Sequence, residues 1–214
     1  MRTLRHHLLP QSRTTLRRIA AALLFGLFLA LAPLRIFATT VVPPEFDSLV
    51  SQADYIVRAV VKSVTAEWRL EGPQRHIITK VELEVREVIA GMPPQRLVLE
   101  LLGGKIGDEE LVVHGVPRFY VGQEDILFIH GNGTQFCPLV ALTHGRYPIQ
   151  RELATGRALV ARSNGRPLYS EKDVALPMAE IAHPPPAGAQ ALSAAEFSSK
   201  IRVSFQNSHR PRAN

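Results

Sequence analysis

Hydrophobic and polar residues change period several times along this chain, and each change marks an element. Phe46, Leu49, Val50 and Ala53 recur at helical spacing within EFDSLVSQAD, predicting a short amphipathic helix over 45–54. YIVRAVVKSVTAEW, Tyr55 to Trp68, is dense in β-branched residues and predicts a long strand. EGPQ (Glu71 to Gln74) then turns the chain. From Ile77 onward the pattern alternates. Thr79, Val81, Leu83 and Val85 face one way, and Lys80, Glu82, Glu84 and Arg86 the other, as in an antiparallel strand with one wet face. GMPP (Gly91 to Pro94) breaks this strand, and RLVLELLGG supplies the next.

The stretch from Gly103 to Glu124 holds five glycines and one proline. A phosphate-binding loop needs Gly-Lys followed by Ser or Thr and then a helix. Here Lys105 is followed by Ile106, and no helical pattern follows. The glycines therefore read as turn punctuation, with Leu111 to His114 a short strand and Asp125 to His130 a longer one. GNG (Gly131 to Gly133) signals a hairpin. CPLVALTHGRYPIQRE and GRALVARS add two or three strands, with a hairpin around Ala154–Gly156. Frequent short strands and few helices predict an all-β domain with minor α content, a barrel or a sandwich, over 39–182.

The composition shifts at HPPPAGAQ, and residues 183–191 read as a semi-rigid Pro-rich linker. A C-terminal helix is expected over 192–205. Ser193 and Glu196 are spaced as its capping box, and Ala194, Phe197, Ile201 and Phe205 form its apolar stripe. Such a terminal helix usually docks on its own domain. Residues 206–214 read as a frayed tail.

Charge separates one segment from the rest. The first eighteen residues carry five arginines and no acid, and the apolar run from Ile19 to Leu34 follows. A basic segment, a sixteen-residue apolar segment and a small residue at Ala38 match an export signal, residues 1–38, cleaved after Ala38. The run is shorter than the ~20 residues of a membrane span, so no stable span is expected after cleavage, and the product belongs in the periplasm or outside the cell. Of the chain's 25 Lys+Arg and 19 Asp+Glu, six arginines and no acids lie in 1–38, leaving 19 against 19. Without a basic excess, nucleic acid is not an expected partner. Cys137 is the only cysteine, so no intrachain disulfide forms, although the destination is oxidising.

The residues able to carry chemistry are few. His114, His130 and His144 each precede a glycine at an expected strand end, and three such ends on one side of a barrel would make a zinc site. Alternate ends of an antiparallel meander lie on opposite sides, however, so the histidines read first as turn neighbours. Cys137 with His130 or His144 would make a thiol–imidazole pair, but Phe136, Pro138, Leu139 and Val140 surround the thiol with apolar residues. Asp108-Glu109-Glu110 lacks the spacing of a calcium loop. There is no serine-hydrolase elbow, and no cofactor is expected. Trp68 and Arg69, beside the connection from Ala66 to Arg75, are the candidate binding residues, since an exposed Trp there suits a partner surface.

The order of Ala53-Asp54-Tyr55-Ile56-Val57, Val85 to Gly91, Gly103-Gly104, Gly115-x-Pro117-x-Phe119-x-x-Gly122, Leu127-Phe128 and Gly145-Arg146-Tyr147 resembles a family of secreted bacterial β-barrel domains without an assigned activity. These are distantly similar to the netrin-type module of tissue inhibitors of metalloproteinases. The resemblance spans roughly Phe46 to Arg162. It implies an OB-like antiparallel β-barrel and association with a secreted protein, proteases included. It departs from the inhibitors at the point of their activity: Thr39, not a zinc-chelating cysteine, follows the expected cleavage. The reading is an exported, non-enzymatic module that binds a protein or envelope partner. The alternative is a small metal-dependent or thiol hydrolase, and a third class is a structural envelope component with no discrete ligand.

Overall fold

A computed structural model describes residues 42–153, 155–179 and 188–208. Residues 1–38, expected to be an export segment, most of the expected Pro-rich linker and residues 209–214 lie outside this range. The element order is α1 (Phe46–Gln52), β1 (Tyr55–Glu71), β2 (Gln74–Gly91), β3 (Leu97–Leu102), β4 (Gly104–Ile106), β5 (Glu109–Leu111), β6 (Glu124–Ile129), β7 (Arg146–Arg151), β8 (Ala158–Val160) and α2 (Ala194–Ser208). The domain is mostly β, built on one antiparallel sheet of order β3-β2-β1-β6-β7-β8 with β4–β5 as a separate hairpin.

β1 and β2 form the spine. Their pairing runs from Tyr55 opposite Gly91 to Glu71 opposite Gln74, with irregularities at Ile56/Val57, Arg58/Ala59 and Val61/Ser63. Bulges of this kind bend a strand and increase its twist. Only Gly fits at 91, where φ is +72° and a Cβ would lie 2.4 Å from the Asp54 carbonyl oxygen.

Around β6 both faces of the sheet are covered, which explains the uninterrupted apolar run of that strand. Ile126 and Phe128 point to one side and Leu127 and Ile129 to the other, as strand alternation requires, and all four are fully buried. On the first side lie α1, α2, Ile56, Tyr147, Val160 and Leu168. On the second lie Val57, Ala59, Leu83, Leu99, Phe119 and Cys137. The first core centres on aromatic rings: the Phe197 centroid is 5.1 Å from Tyr147, 5.9 Å from Phe46 and 6.3 Å from Phe128.

α2 docks on its own domain. Its N-terminus carries the expected reciprocal cap: the Glu196 backbone N–H donates to Ser193 Oγ at 3.2 Å, and the Ser193 backbone N–H donates to Glu196 Oε2 at 2.8 Å. Phe197 and Ile201 are fully buried. Ser204 Oγ donates to Asp47 Oδ1 of α1 at 2.6 Å, and Arg202 pairs with Glu87 of β2.

Several expectations change. The helix runs to Ser208, into the segment expected to fray. The short strand expected over Leu111–His114 lies instead at Glu109–Leu111. The apolar run after Cys137 is no strand; after a single bridge between Ile129 and Leu139 it enters a 3₁₀ turn over Leu142–Gly145. Ala141 and Leu142 hold left-handed φ values of +50° and +58° there, which costs roughly 1–2 kcal/mol per non-glycine residue. The sheet does not close into a barrel: among the described residues no ladder joins its edge strands β3 and β8. The β3 edge is instead covered by the loop after β6. The Leu102 N–H donates to the Phe136 carbonyl at 2.7 Å, and Asn132 Nδ2 donates to the Val98 carbonyl at 2.8 Å.

Candidate functional site

At Gly103-Gly104 the chain leaves β3 and begins a flap that returns to the sheet at Gln123. Gly104 has φ of +137°, and a Cβ there would sit 2.5 Å from Thr79 Oγ1 and 3.2 Å from Ile77 Cγ2. The missing side chain lets the flap cross β2 at close range. Thr79 Oγ1 donates to the Gly103 carbonyl at 2.6 Å, and the Gly103 N–H donates to the Ile77 carbonyl at 2.8 Å. At the far end, the Gly122 N–H donates to the Val61 carbonyl and the Val61 N–H to the Gln123 carbonyl, both at 2.9 Å.

Arg146 fastens the flap from below. Nε and Nη2 of its guanidinium reach the two carboxylate oxygens of Asp125 at 2.9 and 3.3 Å. Nη1 donates to the Arg118 carbonyl at 2.7 Å and Nη2 to Gln123 Oε1 at 2.9 Å. The guanidinium carbon lies 4.6 Å from the centroid of the Phe119 ring. Burial pushes the Asp125 carboxyl pKa up, and the facing Arg146 charge opposes that push.

Between flap and sheet lies a cleft of about 340 Å³. Val64 and Ala66 of β1, Thr79 of β2 and Leu101 of β3 line the sheet side; Leu111, Val113, Val116 and Phe119 line the flap side. At the rim, Arg118 pairs with Glu110 at 2.9 Å. Lys105 lies opposite Glu110 in the β4–β5 register. The flap also exposes Val112, Tyr120 and Val121.

Trp68, expected at its strand's end beside a connection, lies well within β1, because the β1–β2 pairing continues to Glu71 and Gln74. Strand alternation puts it on the face of Val64 and Ala66, beyond the cleft. It is 36% exposed, and Arg75 sits 4.2 Å over its ring while also pairing with Glu109 at 3.2 Å. Leu70, on the same face, is 79% exposed. Arg69 points to the opposite face and meets Glu100 at 2.7 Å. That face is a ladder of ion pairs, with Lys80 to Glu67 at 2.6 Å and Arg96 to Glu82 at 3.0 Å. Consecutive in sequence, Trp68 and Arg69 serve two different surfaces.

The three histidines occupy three different settings. His114 is exposed in a turn. His130 is exposed, with Nδ1 3.0 Å from Asp54 Oδ1, while Asp54 Oδ2 accepts the Gly131 N–H at 2.8 Å. That backbone hydrogen bond and His130 together hold the Asp54 carboxyl below the usual carboxylate range. His144 is buried, and burial followed by the Arg162 charge lowers its pKa. Among the described residues no three His, Cys, Asp or Glu side chains are grouped to hold a metal ion. Cys137 is buried, and burial pushes its thiol up to about 11, so it stays protonated near neutral pH. Glu109 and Glu110, a candidate acid run, are engaged by Arg75 and Arg118.

Sequence reasoning missed three features: the Asp54–His130 pair, the Arg146 clamp and the cleft itself. Asp54 and His130 border predicted strands, so the pairing of β1 with β6 was the available signal. No helix among the described residues is long and apolar enough to cross a membrane. Comparison with family models, curated proteins and solved structures gives no match for this chain.

Proposed function

We propose that this protein is an exported, non-enzymatic interaction module whose partner, a secreted or envelope protein, docks on the flap side of the β1–β2 ribbon. One observation carries the reading: five exposed large apolar residues lie on two elements, Trp68 and Leu70 on the ribbon end and Val112, Tyr120 and Val121 on the flap. Isolated exposed apolar residues are ordinary, but a cluster on neighbouring elements marks an interaction surface. Rings of Trp and Tyr bring contact area with little conformational freedom to lose. The export segment read in residues 1–38 supports placement in the periplasm or outside the cell, and the neutral remainder argues against polyanions. A protease is one candidate partner, on the strength of the family resemblance alone.

The netrin-type, OB-like relationship is part of this proposal. Its support is the bulged β1, shared between β2 and β6, and the loop after β6 that hydrogen-bonds to β3. The hydrolase alternative has one observation in its favour, the imidazole of His130 oriented by Asp54. A nucleophile completing the set would have to be hydrogen-bonded to that ring, and among the described residues Asp54 is its only side-chain partner.

Affinity capture of the tagged protein from the host's envelope and secreted fractions tests the proposal. A saturable partner lost on Trp68→Ala or Tyr120→Ala supports it. Hydrolytic activity abolished by His130→Ala would replace it with the alternative.

A further inference from the structure

We propose that the cleft beneath the flap is a binding site for an aliphatic carboxylate of the fatty-acid type. The cleft's volume, about 340 Å³, lies within the range of small-molecule sites. Val64, Ala66, Leu101, Val113, Val116 and Phe119 line it, and the Thr79 hydroxyl there is spent on the Gly103 carbonyl, so the body of the occupant is hydrocarbon.

Backbone pairing along β3, β4 and β5 disfavours a peptide. The Leu102 N–H is taken by the Phe136 carbonyl, the Gly103 N–H by the Ile77 carbonyl, and the Gly103 carbonyl by Thr79 Oγ1. Gly104 to Ile106 pair with Glu109 to Leu111. An extended peptide would bury its amides against these paired groups, at a cost of a few kcal/mol for each unpaired group. A hydrocarbon chain has no such groups to satisfy.

The rim supplies the sign of the head group. Three charged residues line the cleft: Lys105, Glu110 and Arg118. Glu110 is held by Arg118 at 2.9 Å, while no carboxylate among the described residues lies within ion-pair distance of Lys105. The mouth therefore carries one net positive charge, on an exposed, extendable amine. A single anionic head fits it.

Decanoate is the probe, titrated calorimetrically into the purified protein. The expected result is one saturable site, weakened on the order of tenfold by Lys105→Gln through loss of the charge-assisted hydrogen bond and abolished by Val113→Trp. Decanol, with the same chain and no charge, binds the wild type more weakly than decanoate and is indifferent to Lys105→Gln. Circular dichroism checks the fold of each variant, and Ala66→Phe, from the sheet side, takes the place of Val113→Trp if that variant does not fold. Absence of saturable binding, or binding that ignores both substitutions, overturns the proposal. So does a peptide with an apolar C-terminal residue that binds where decanoate does not. Val112 and Tyr120 of the partner surface also line the cleft, whereas Trp68 and Leu70 lie outside it, so partner capture with Trp68→Ala judges that surface separately from the cleft.

Discussion

Arg146 and Asp125 form a bidentate ion pair in which the two side chains are only 8% and 1% exposed. The pair joins β7 to β6, and two further guanidinium hydrogens reach across to the flap at Arg118 and Gln123. A charge at this depth is tolerable only when it is paired and further hydrogen-bonded. The flap supplies two of the acceptors. Its position and the integrity of the pair are therefore one property.

Arg146→Ala strands the Asp125 carboxylate in an apolar interior and releases residues 118–123. The expected loss is ~3–5 kcal/mol, the usual cost of breaking a buried pair from one side. Urea unfolding measures the loss. Hydrogen exchange separates its two parts, because amides of residues 118–123 lose protection in native conditions before those of β2.

Cys137 is expected to be silent. Burial pushes its thiol up to about 11, and only the thiolate is an efficient nucleophile. Alkylation with iodoacetamide at pH 8 labels the denatured chain and leaves the native one unmodified. Rapid native labelling would place the thiol in reach of solvent and reopen the thiol-hydrolase alternative.

His144 makes stability fall in mild acid. Its folded pKa is lowered by burial and by Arg162, so between the unfolded value of about 6.5 and that lowered value the unfolded chain binds a proton that the folded one does not. The contribution is complete above pH 6.5 and is lost progressively below it. Denaturant titrations between pH 7.5 and 5 show the decline, and His144→Leu flattens it. The carboxylates with lowered pKa, such as Glu171 and Glu196, begin at about 4.5 and act below this window.

Phe197 carries the docking of α2. It is fully buried and touches the rings of Phe46, Phe128 and Tyr147. Phe197→Ala costs ~3–5 kcal/mol by lost burial and cavity formation, while Ser193→Ala, removing only the cap, costs about 1 kcal/mol. Thermal unfolding of the two variants gives the ranking, and equal effects would mean that the helix is held by its end rather than by its ring.

Local pattern carried much of this architecture and little of the site. The alternation of Thr79 to Arg86 predicts the wet and dry faces of β2, and the spacing of Ser193 and Glu196 predicts the start of α2, because both depend on neighbours in sequence. The run from Cys137 to Leu142 is as apolar as a strand but is committed to a left-handed turn, and hydrophobicity alone does not distinguish a paired strand from a buried plug. Trp68 was expected at its strand's end, beside a connection running from Ala66 to Arg75; the ribbon holds its ladder up to the EGPQ turn and carries Trp68 and Arg69 to opposite faces. The Arg146–Asp125 clamp spans 21 residues, and no periodicity reports a contact of that kind. The cleft depends on the approach of residues 111–119 to β1 and β2, which turn glycines permit but do not specify.

The most direct test of the interaction-module account sets the two faces of the ribbon against each other. Partner capture is performed in parallel with the wild type, Trp68→Ala/Tyr120→Ala and Arg69→Ala. The account predicts one saturable partner retained equally by the wild type and Arg69→Ala and lost from the double variant. Capture that survives the double variant, or is lost on Arg69→Ala alone, would contradict it and move the interface to the ion-pair face.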